Sequence, residues 1–417
     1  MDEFPTATTP APGVMGVDWE VRVDFERLRT FRLGRIREQL EASGLGALLL
    51  FETSNIRYAT ATQIGYWAFN KGERWALVTR DGRPKVWDFG SAAKAHRLQL
   101  PHLFDETNSV GGNTGLQGAI GPEAGLHGRA AKEIAAALHD AGIPSEPLGV
   151  DMAETSVFLA LQAEGLQVVD GQQAMMRARE IKSPDEVVLL SQASAMVDGV
   201  YQDIFEALKP GIRESDIVAL AHARLFELGS EFVEAINSIA GERCSPHPHV
   251  FSDRLIRPGD QAYFDIIHAF NGYRTCYYRT FAVGRATISQ RDAFKQAREW
   301  MDAAIDLVRP GNTTDMIAKV WPRAEEFGFV DEMDAFGLQF GHGVGVGLHE
   351  RPIISRLNSL DDPIEIEEGM YFALETYAPA GDGKSAARIE EMMIVTEDGP
   401  QLTTLFPCEE LLVANEY

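Results

Sequence analysis

The chain is poor in cysteine, in basic residues and in long apolar runs. Three cysteines among 417 residues cannot form the disulfide framework of a small secreted protein, so we expect a reducing, cytoplasmic location. No stretch approaches the roughly 18 apolar residues of a membrane span, and no basic segment precedes an apolar one near the start. We therefore predict no membrane association and no signal peptide.

The charge balance is strongly acidic. Lysine and arginine number 38 against 62 aspartates and glutamates, which gives a formal net charge of −24. Because such a surface repels phosphate backbones, we predict no nucleic-acid partner. The hydrophobic fraction of 45 % is that of an ordinary globular protein, and the length is sufficient for two domains with full cores.

The patterns along the chain predict an arm and two domains. Residues 1–14 are rich in proline, threonine and alanine without periodicity, so we expect a flexible arm. Residues 15–175 alternate between strand-like and helix-like segments, which is typical of an α/β domain. Segment 183–186 (SPDE) is a strong helix start, with serine as N-cap, proline in the first turn and glutamate completing a capping box. A second domain is expected over residues 183–417.

The second domain contains an internal repeat. A Pro-Gly pair followed by an acidic helix start occurs at residues 208–216 and again at 308–315. Each copy continues to a glycine, a strand with a carboxylate six residues later, and a return strand with a second candidate ligand. The four ligand positions are Asp265 and Cys276 in the first copy, and Glu375 and Glu390 in the second. We predict two related halves around a pseudo-twofold axis, with these side chains pointing inward.

With His342, these four positions form a set of metal-type ligands. Carboxylates and one imidazole suit a hard or borderline divalent ion such as Mn, Fe, Co or Zn. His342 lies in segment 341–350, where four glycines surround two histidines and allow close approach of the backbone to a ligand. The set predicts a metal site in the second domain.

The motif GHGVG at 341–345, followed by His349-Glu350 and Pro352, resembles the pita-bread family of creatinase, prolidase, aminopeptidase P and methionine aminopeptidase. The segments 272–281 and 388–390 carry the same resemblance, which extends over about residues 20–417. It implies an α/β creatinase-type N-terminal domain, an α+β pita-bread catalytic domain and a homodimer.

The resemblance also implies roles for individual residues. Four of the metal-type residues match family metal ligands, namely Asp265, His342, Glu375 and Glu390. Cys276 stands where the family has an aspartate that bridges two metals, so we predict a single metal, with the thiolate favouring Zn or Fe and with Mn possible. A metal-free, creatinase-like site that works by acid–base chemistry is the alternative.

Other residues complete the predicted site. His349 matches the family histidine that contacts substrate and transition state. A further family histidine is expected upstream of Asp265, where His247 and His249 both lie close, and His268 is another candidate for the pocket. The predicted catalytic residues are His349, Glu375, His249 and His247. The predicted substrate-binding residues are Trp67, Tyr66, Tyr273 and Arg279.

Three functions are open at this point. The resemblance favours hydrolysis of a C–N bond in a small-molecule or dipeptide-like substrate, either Xaa-Pro-like or a cyclic amidine or ureido compound. Segments 55–60 and 241–243 resemble the dimethylsulfoniopropionate lyases of the same superfamily, which implies β-elimination instead. Those lyases have an aspartate at the position of Cys276 and another near the glycine-rich motif, where this chain has His349. The third alternative is a non-catalytic binding protein on the same scaffold.

Overall fold

A computed structural model of the chain describes residues 23–68, 72–335 and 340–417, so the arm predicted at 1–14 lies outside the described residues. The α-helices are α1 (Phe25–Ser43), α2 (Thr53–Thr60), α3 (Gly90–Gln99), α4 (Leu126–Asp140), α5 (Thr155–Ala163), α6 (Gln172–Glu180), α7 (Pro184–Ala207), α8 (Glu214–Glu227), α9 (Ile288–Ile305) and α10 (Thr314–Ala318). The β-strands are β1 (Ala47–Leu50), β2 (Trp75–Thr79), β3 (Lys85–Asp88), β4 (Ser109–Gly111), β5 (Leu148–Val150), β6 (Val168–Asp170), β7 (Phe232–Ala240), β8 (Gln261–Phe270), β9 (Tyr273–Arg274), β10 (Tyr278–Val283), β11 (Gly341–Gly343), β12 (Glu350–Ile354), β13 (Tyr371–Pro379), β14 (Ala386–Thr396), β15 (Gly399–Leu402) and β16 (Leu412–Ala414). Within these ranges, every helix is too short or too polar to cross a membrane.

The N-terminal domain is built on a six-stranded mixed sheet in the order β4-β3-β2-β1-β5-β6. Its central strand β1 is buried along its whole length, as a continuous apolar run is when helices cover both faces of a sheet. β1 pairs antiparallel with β2 and parallel with β5. These alternating helices and strands confirm the α/β class predicted for this part of the chain.

The C-terminal domain begins at helix α7, whose start follows the predicted capping box. The Ser183 hydroxyl accepts from the Glu186 backbone N–H, and the Glu186 carboxylate accepts in return from the Ser183 N–H at 2.8 Å. Two five-stranded sheets follow. The first has the order β16-β10-β8-β7 with β9 paired to β8, and the second has the order β12-β11-β13-β14-β15.

The two halves of the C-terminal domain make equivalent backbone contacts at equivalent positions. Arg213 forms an isolated bridge with Leu255, and Thr313 forms the corresponding bridge with Glu365. The glycine before each ligand strand has a left-handed φ, 80° at Gly259 and 86° at Gly369, and donates to the backbone carbonyl of a valine at the end of the return strand. The predicted pseudo-twofold repeat is therefore confirmed.

The two domains share apolar packing. One hydrophobic cluster contains Ile36 of α1 and Leu48 of β1 together with Val197 of α7 and Phe264 of β8. Burial of apolar surface is the main favourable term in domain packing. The N-terminal domain is consequently fixed against the ligand-bearing strands of its own chain.

Candidate metal centre

Three side chains from the two halves of the C-terminal domain converge on one point. Ligand atoms of Cys276, His342 and Glu390 all lie within 4.8 Å of one another, and all three residues are buried. Within the described residues, the histidine, cysteine and acidic side chains that lie close enough together to hold one ion are these three.

Strand pairing explains this convergence. In the second sheet, β13 and β14 place Glu375 directly opposite Glu390, and β11, which carries His342, pairs with β13. In the first sheet, Asp265 on β8 lies opposite Tyr278 on β10. Four of the predicted ligands therefore sit on rigid strands. Cys276 lies in the short connection between β9 and β10, and its sulfur is 3.8 Å from an Asp265 oxygen.

The atoms that face the centre of this group have no hydrogen-bond partner. The His342 Nδ1 lies 3.0 Å from the Gly343 carbonyl, so Nδ1 carries the proton and Nε2 presents a lone pair. His342 Nε2 and both carboxylate oxygens of Glu390 are buried without a hydrogen-bond partner, and Nε2 lies 3.8 Å from the nearer oxygen. Buried polar atoms rarely go unpaired, and a thiol, an imidazole nitrogen and a carboxylate are the donors that Zn or Fe prefers. The residues present fit one divalent cation.

The pKa values of Glu390 and Cys276 also favour a cation between them. Burial raises the pKa of Glu390 well above its ordinary value, and the negative charges of Glu375 and Asp265 add to the rise. Burial and the Asp265, Glu390 and Glu375 carboxylates likewise raise the pKa of the Cys276 thiol. Because a cation within a few ångströms reverses such shifts, the group is tuned for a positive ligand.

Unlike Glu390, Asp265 has hydrogen-bond partners within the protein. Asn237 Nδ2 donates to one Asp265 oxygen at 3.0 Å and also lies 3.1 Å from the Tyr278 hydroxyl. Burial raises the pKa of Asp265 to about 7, helped by Glu375 and opposed by Arg388, Asn237 and Tyr278. Arg388 pairs with the Glu375 carboxylate, and its guanidinium lies 4.2 Å from the centre of the Tyr278 ring. On this side of the cluster, the Arg388 guanidinium offsets negative charge, and Asn237 and Tyr278 hydrogen-bond to Asp265.

Three of the predicted histidines surround the cluster. His349 is solvent-accessible, and its ring lies 4.6 Å from that of His342; partial desolvation in this cleft, together with His342, lowers the pKa of His349 to about 4. His247 Nε2 lies 3.0 Å from the Tyr278 hydroxyl, and its ring is 3.7 Å from that of His249. His249 is exposed with φ of 53°, and partial desolvation of its ring together with the charge of Arg388 lowers its pKa, against the opposing effect of Glu375.

His268 lies elsewhere. It is fully buried, with Nδ1 3.0 Å from the Ser230 hydroxyl and Nε2 3.0 Å from the Ala193 carbonyl. Burial lowers the pKa of His268 to about 4. These contacts tie β8 to α7, so His268 has a structural role.

Two predicted substrate-binding residues lie at the boundary between the domains. Tyr66 stacks on Phe232 at 3.9 Å and donates to Glu231 at 3.0 Å; burial and Glu231 raise the pKa of Tyr66 to about 12. Trp67 is 61 % exposed, with its ring 5.3 Å from that of Phe89. A small open pocket lies beside Tyr66. It is also lined by Arg57, Arg274 and Val346, the last of these in the glycine-rich loop.

The other two predicted substrate-binding residues, Tyr273 and Arg279, lie in the interior. The Tyr273 hydroxyl donates to Glu186 at 2.9 Å and accepts from Arg32. Arg279 donates to Glu391 at 2.9 Å and to three backbone carbonyl groups. Both side chains are buried with their polar ends satisfied inside the protein, so in this chain they serve packing.

Sequence reasoning did not single out Asn237, Tyr278 and Arg388 as site residues. Arg388 and Tyr278 each lie two positions from a predicted ligand, and residues two apart on a strand share a face. That spacing could have found both. Asn237 lies on β7 and reaches Asp265 only through strand register, so no local signal marked it.

Comparison with known proteins now places the chain. The family model for metallopeptidase family M24 matches residues 188–397, and the model for the creatinase/prolidase N-terminal domain matches residues 32–181. The chain belongs to metallopeptidase family M24. The predicted two-domain, pita-bread architecture is confirmed.

Its relatives have different activities. It is 25 % identical to the dimethylsulfoniopropionate lyase DddP of Roseovarius nubinhibens over 94 % of this chain and 88 % of that protein. It is 32 % identical to the probable dipeptidase PepE of Mycobacterium tuberculosis, over 60 % of this chain and 65 % of the relative.

Solved structures of the same fold include an Xaa-Pro dipeptidase from Bacillus anthracis, with a TM-score of 0.72 and 19 % identity over 92 % of this chain and 99 % of that one. The dipeptidase PepE from Mycobacterium ulcerans also has a TM-score of 0.72, with 22 % identity over 94 % and 99 %. At these identities the structures establish the fold only.

Proposed function

We propose that this M24-family protein is a hydrolase that cleaves a C–N bond in a small, dipeptide-like molecule and uses one divalent cation, Zn or Fe. One observation carries the proposal. His342 Nε2 and both oxygens of Glu390 are buried without a hydrogen-bond partner, and the Cys276 thiol completes their group.

The proposal of a single cation rests on the other side of the cluster. Asp265 is held by Asn237 and Tyr278, and Glu375 is paired with Arg388. A second cation would have to displace a buried guanidinium, and like charges in a low-dielectric interior repel strongly.

When bound, such a cation polarises a carbonyl and lowers the pKa of water. The chain's own residues would hold substrate and move protons. Glu375 lies opposite Glu390 on the strand pair and can accept a proton from an attacking water. His349, neutral at pH 7 because its pKa is about 4, can donate a hydrogen bond to a developing oxyanion.

The substrate class comes from the relatives. The matches to a probable dipeptidase and to an Xaa-Pro dipeptidase support a dipeptide-like substrate, with cyclic amidine or ureido compounds as further candidates. By the same resemblance we propose a homodimer, which light scattering on the purified chain would test.

The second candidate function is β-elimination from a sulfonium acid. It is supported by the match to the lyase DddP, which extends over 94 % of the chain. His349 and Cys276 stand where that branch has aspartates, which favours hydrolysis.

Metal analysis and substrate assays test the proposal together. Protein purified without added metal or chelator should contain about one Zn or Fe per chain by plasma mass spectrometry, and Cys276→Ser should lower that occupancy. The loaded protein is then assayed on Xaa-Pro dipeptides, a cyclic amidine and dimethylsulfoniopropionate. Release of proline or an amine supports hydrolysis, whereas release of dimethyl sulfide establishes the lyase. Absence of metal after incubation with Zn, Fe and Mn contradicts the one-cation site.

A further inference from the structure

A buried ionic group lies directly behind the glycine-rich loop, outside the cluster described above. Glu350 follows His349 and is buried. One Glu350 oxygen accepts from Lys182 Nζ at 2.8 Å, and the other lies 3.3 Å from Arg179 Nε. Both cations are themselves almost fully buried, with side-chain exposures of 1 % for Lys182 and 3 % for Arg179.

The loop is folded around this carboxylate. The Gly347 backbone N–H donates to Glu350 at 2.8 Å. A Cβ added at Gly345 would lie 2.5 Å from a Glu350 oxygen, so the carboxylate fills the space that a side chain there would need. The Gly345 carbonyl accepts from the Arg274 N–H at 2.8 Å. The backbone between His342 and His349 is consequently shaped by Glu350 from within.

The same group reaches the N-terminal domain. Arg179 Nη1 donates to the Asn55 side-chain oxygen at 2.9 Å, and Asn55 Nδ2 donates to Asp151 at 2.9 Å. Asp151 also accepts from the Phe51 N–H at 2.7 Å, at the end of β1. A continuous chain of buried polar contacts therefore runs from the N-terminal sheet to the glycine-rich loop.

The charges in this chain are interdependent. Burial alone would raise the pKa of Glu350, but Lys182 and Arg179 outweigh burial and hold it below its ordinary value, so the carboxylate is ionised. A buried charge that loses its partner is strongly destabilised, and a fully satisfied polar network resists displacement of any one member. The loop cannot shift without separating these charges.

We propose that Glu350, Lys182 and Arg179 are positioning residues, through which the N-terminal domain fixes the loop that carries His342 and His349. This inference rests on the proposed function for its catalytic consequence, because His349 has to meet a substrate for its position to matter. It adds a role for the N-terminal domain within a single chain.

Hydrogen–deuterium exchange and steady-state kinetics on the metal-loaded full chain test this. Glu350→Gln keeps the size of the side chain and removes its charge. It should speed exchange in peptides covering 341–352 and, on an Ala-Pro dipeptide, lower kcat by about 10- to 100-fold with little change in KM, as substitutions behind a site do. Lys182→Arg, which keeps the charge, should behave like the natural chain.

Two further variants separate positioning from stability. Lys182→Met combined with Glu350→Gln removes both opposite charges, and should recover the Tm lost in Glu350→Gln while kcat stays low. Asp88→Asn breaks a matched buried ion pair in the N-terminal domain, where Asp88 lies 3.2 Å from Arg74. It should lower Tm without changing exchange in 341–352 or kcat.

The outcomes distinguish the positioning role of Glu350 from the proposed hydrolysis. Unchanged exchange in 341–352 for Glu350→Gln, or the same change in Asp88→Asn, would overturn the positioning role even if the natural chain cleaves the dipeptide. Local loosening confined to Glu350→Gln, in a chain that cleaves no dipeptide, would support the positioning role while removing the proposed hydrolysis.

Discussion

The two sheets of the C-terminal domain carry the same repeat but treat their carboxylates in opposite ways. On the first sheet, Asp265 is held by Asn237 and the Tyr278 hydroxyl. On the second, Glu390 and His342 Nε2 face each other at 3.8 Å with no hydrogen-bond donor between them. We call Asp265 with its protein partners the satisfied half, and Glu390 with His342, which present unsatisfied ligand atoms, the unsatisfied half; Glu375 of the second sheet is itself paired with Arg388.

This difference explains how a repeated scaffold can hold an asymmetric site. A duplicated hairpin brings four ligand positions together, but each half acquires its own partners around them. Where neutral donors and Arg388 surround the carboxylates, added positive charge is disfavoured. Where an imidazole nitrogen and a carboxylate lack partners beside a thiol, a cation supplies the missing interaction.

The largest expected effect separates the halves directly. His342→Ala removes a ligand from the unsatisfied half and should abolish metal retention and lower kcat/KM by more than about 100-fold, since even the partners of ligands contribute 10- to 100-fold. Asp265→Asn, in the satisfied half, should retain the metal. Metal content per chain and turnover are measured for both. Loss of metal from Asp265→Asn and retention by His342→Ala would invert the assignment.

A pH dependence is expected from the satisfied half. His268 on β8 has its pKa lowered from 6.5 to about 4 by burial, so the unfolded chain takes up its proton first. The associated stability is fully present above about pH 6.5 and is lost as pH falls toward 4, amounting to about 3 kcal/mol. Urea unfolding between pH 4 and 7 measures it. His268→Gln should flatten this part of the profile, whereas His139→Gln, at an exposed position, should leave it as it is.

The effect of Glu390→Gln on the free energy of unfolding should change sign when metal is present. Without metal, the buried carboxylate is destabilising because its pKa is raised by burial and by Glu375 and Asp265. Glu390→Gln should therefore stabilise the chelator-treated protein at pH 7 by about 1–3 kcal/mol. With Zn present the natural chain should be the more stable. Denaturation curves in chelator and in Zn check both signs, and the same sign in both conditions would remove Glu390 from the ligand set.

The smallest effect concerns Tyr278. Tyr278→Phe removes the hydroxyl that contacts Asn237 and His247 and helps to hold Asp265. Because Asn237 still donates to Asp265, the stability should fall by only about 1 kcal/mol, and metal content should be unchanged. Loss of metal in this variant would show that Tyr278 belongs to the ligand environment. Tyr277→Phe, on the neighbouring position of the same segment, serves as the comparison.

Much of this architecture follows from local sequence. The capping box at 183–186 and the duplicated Pro-Gly pattern each depend on residues a few positions apart, so capping and turn chemistry predicted them. The repeat implied two hairpins facing each other and so predicted that Cys276 and Glu390 lie close together, whereas His342 was identified from the glycine-rich segment. Tyr273 and Arg279, predicted to bind substrate, lie in the interior with their polar ends bonded to other protein groups.

The sequence by itself determined the fold class, the repeat and the set of candidate ligands, because side-chain chemistry and strand or helix periodicity are local properties. Only the tertiary structure decided which ligand atoms have partners. The bond from Asn237 to Asp265 spans 28 positions, and that from Lys182 to Glu350 spans 168. Such pairs are set by sheet register and by the packing of one domain on another, and these arise only when distant segments meet.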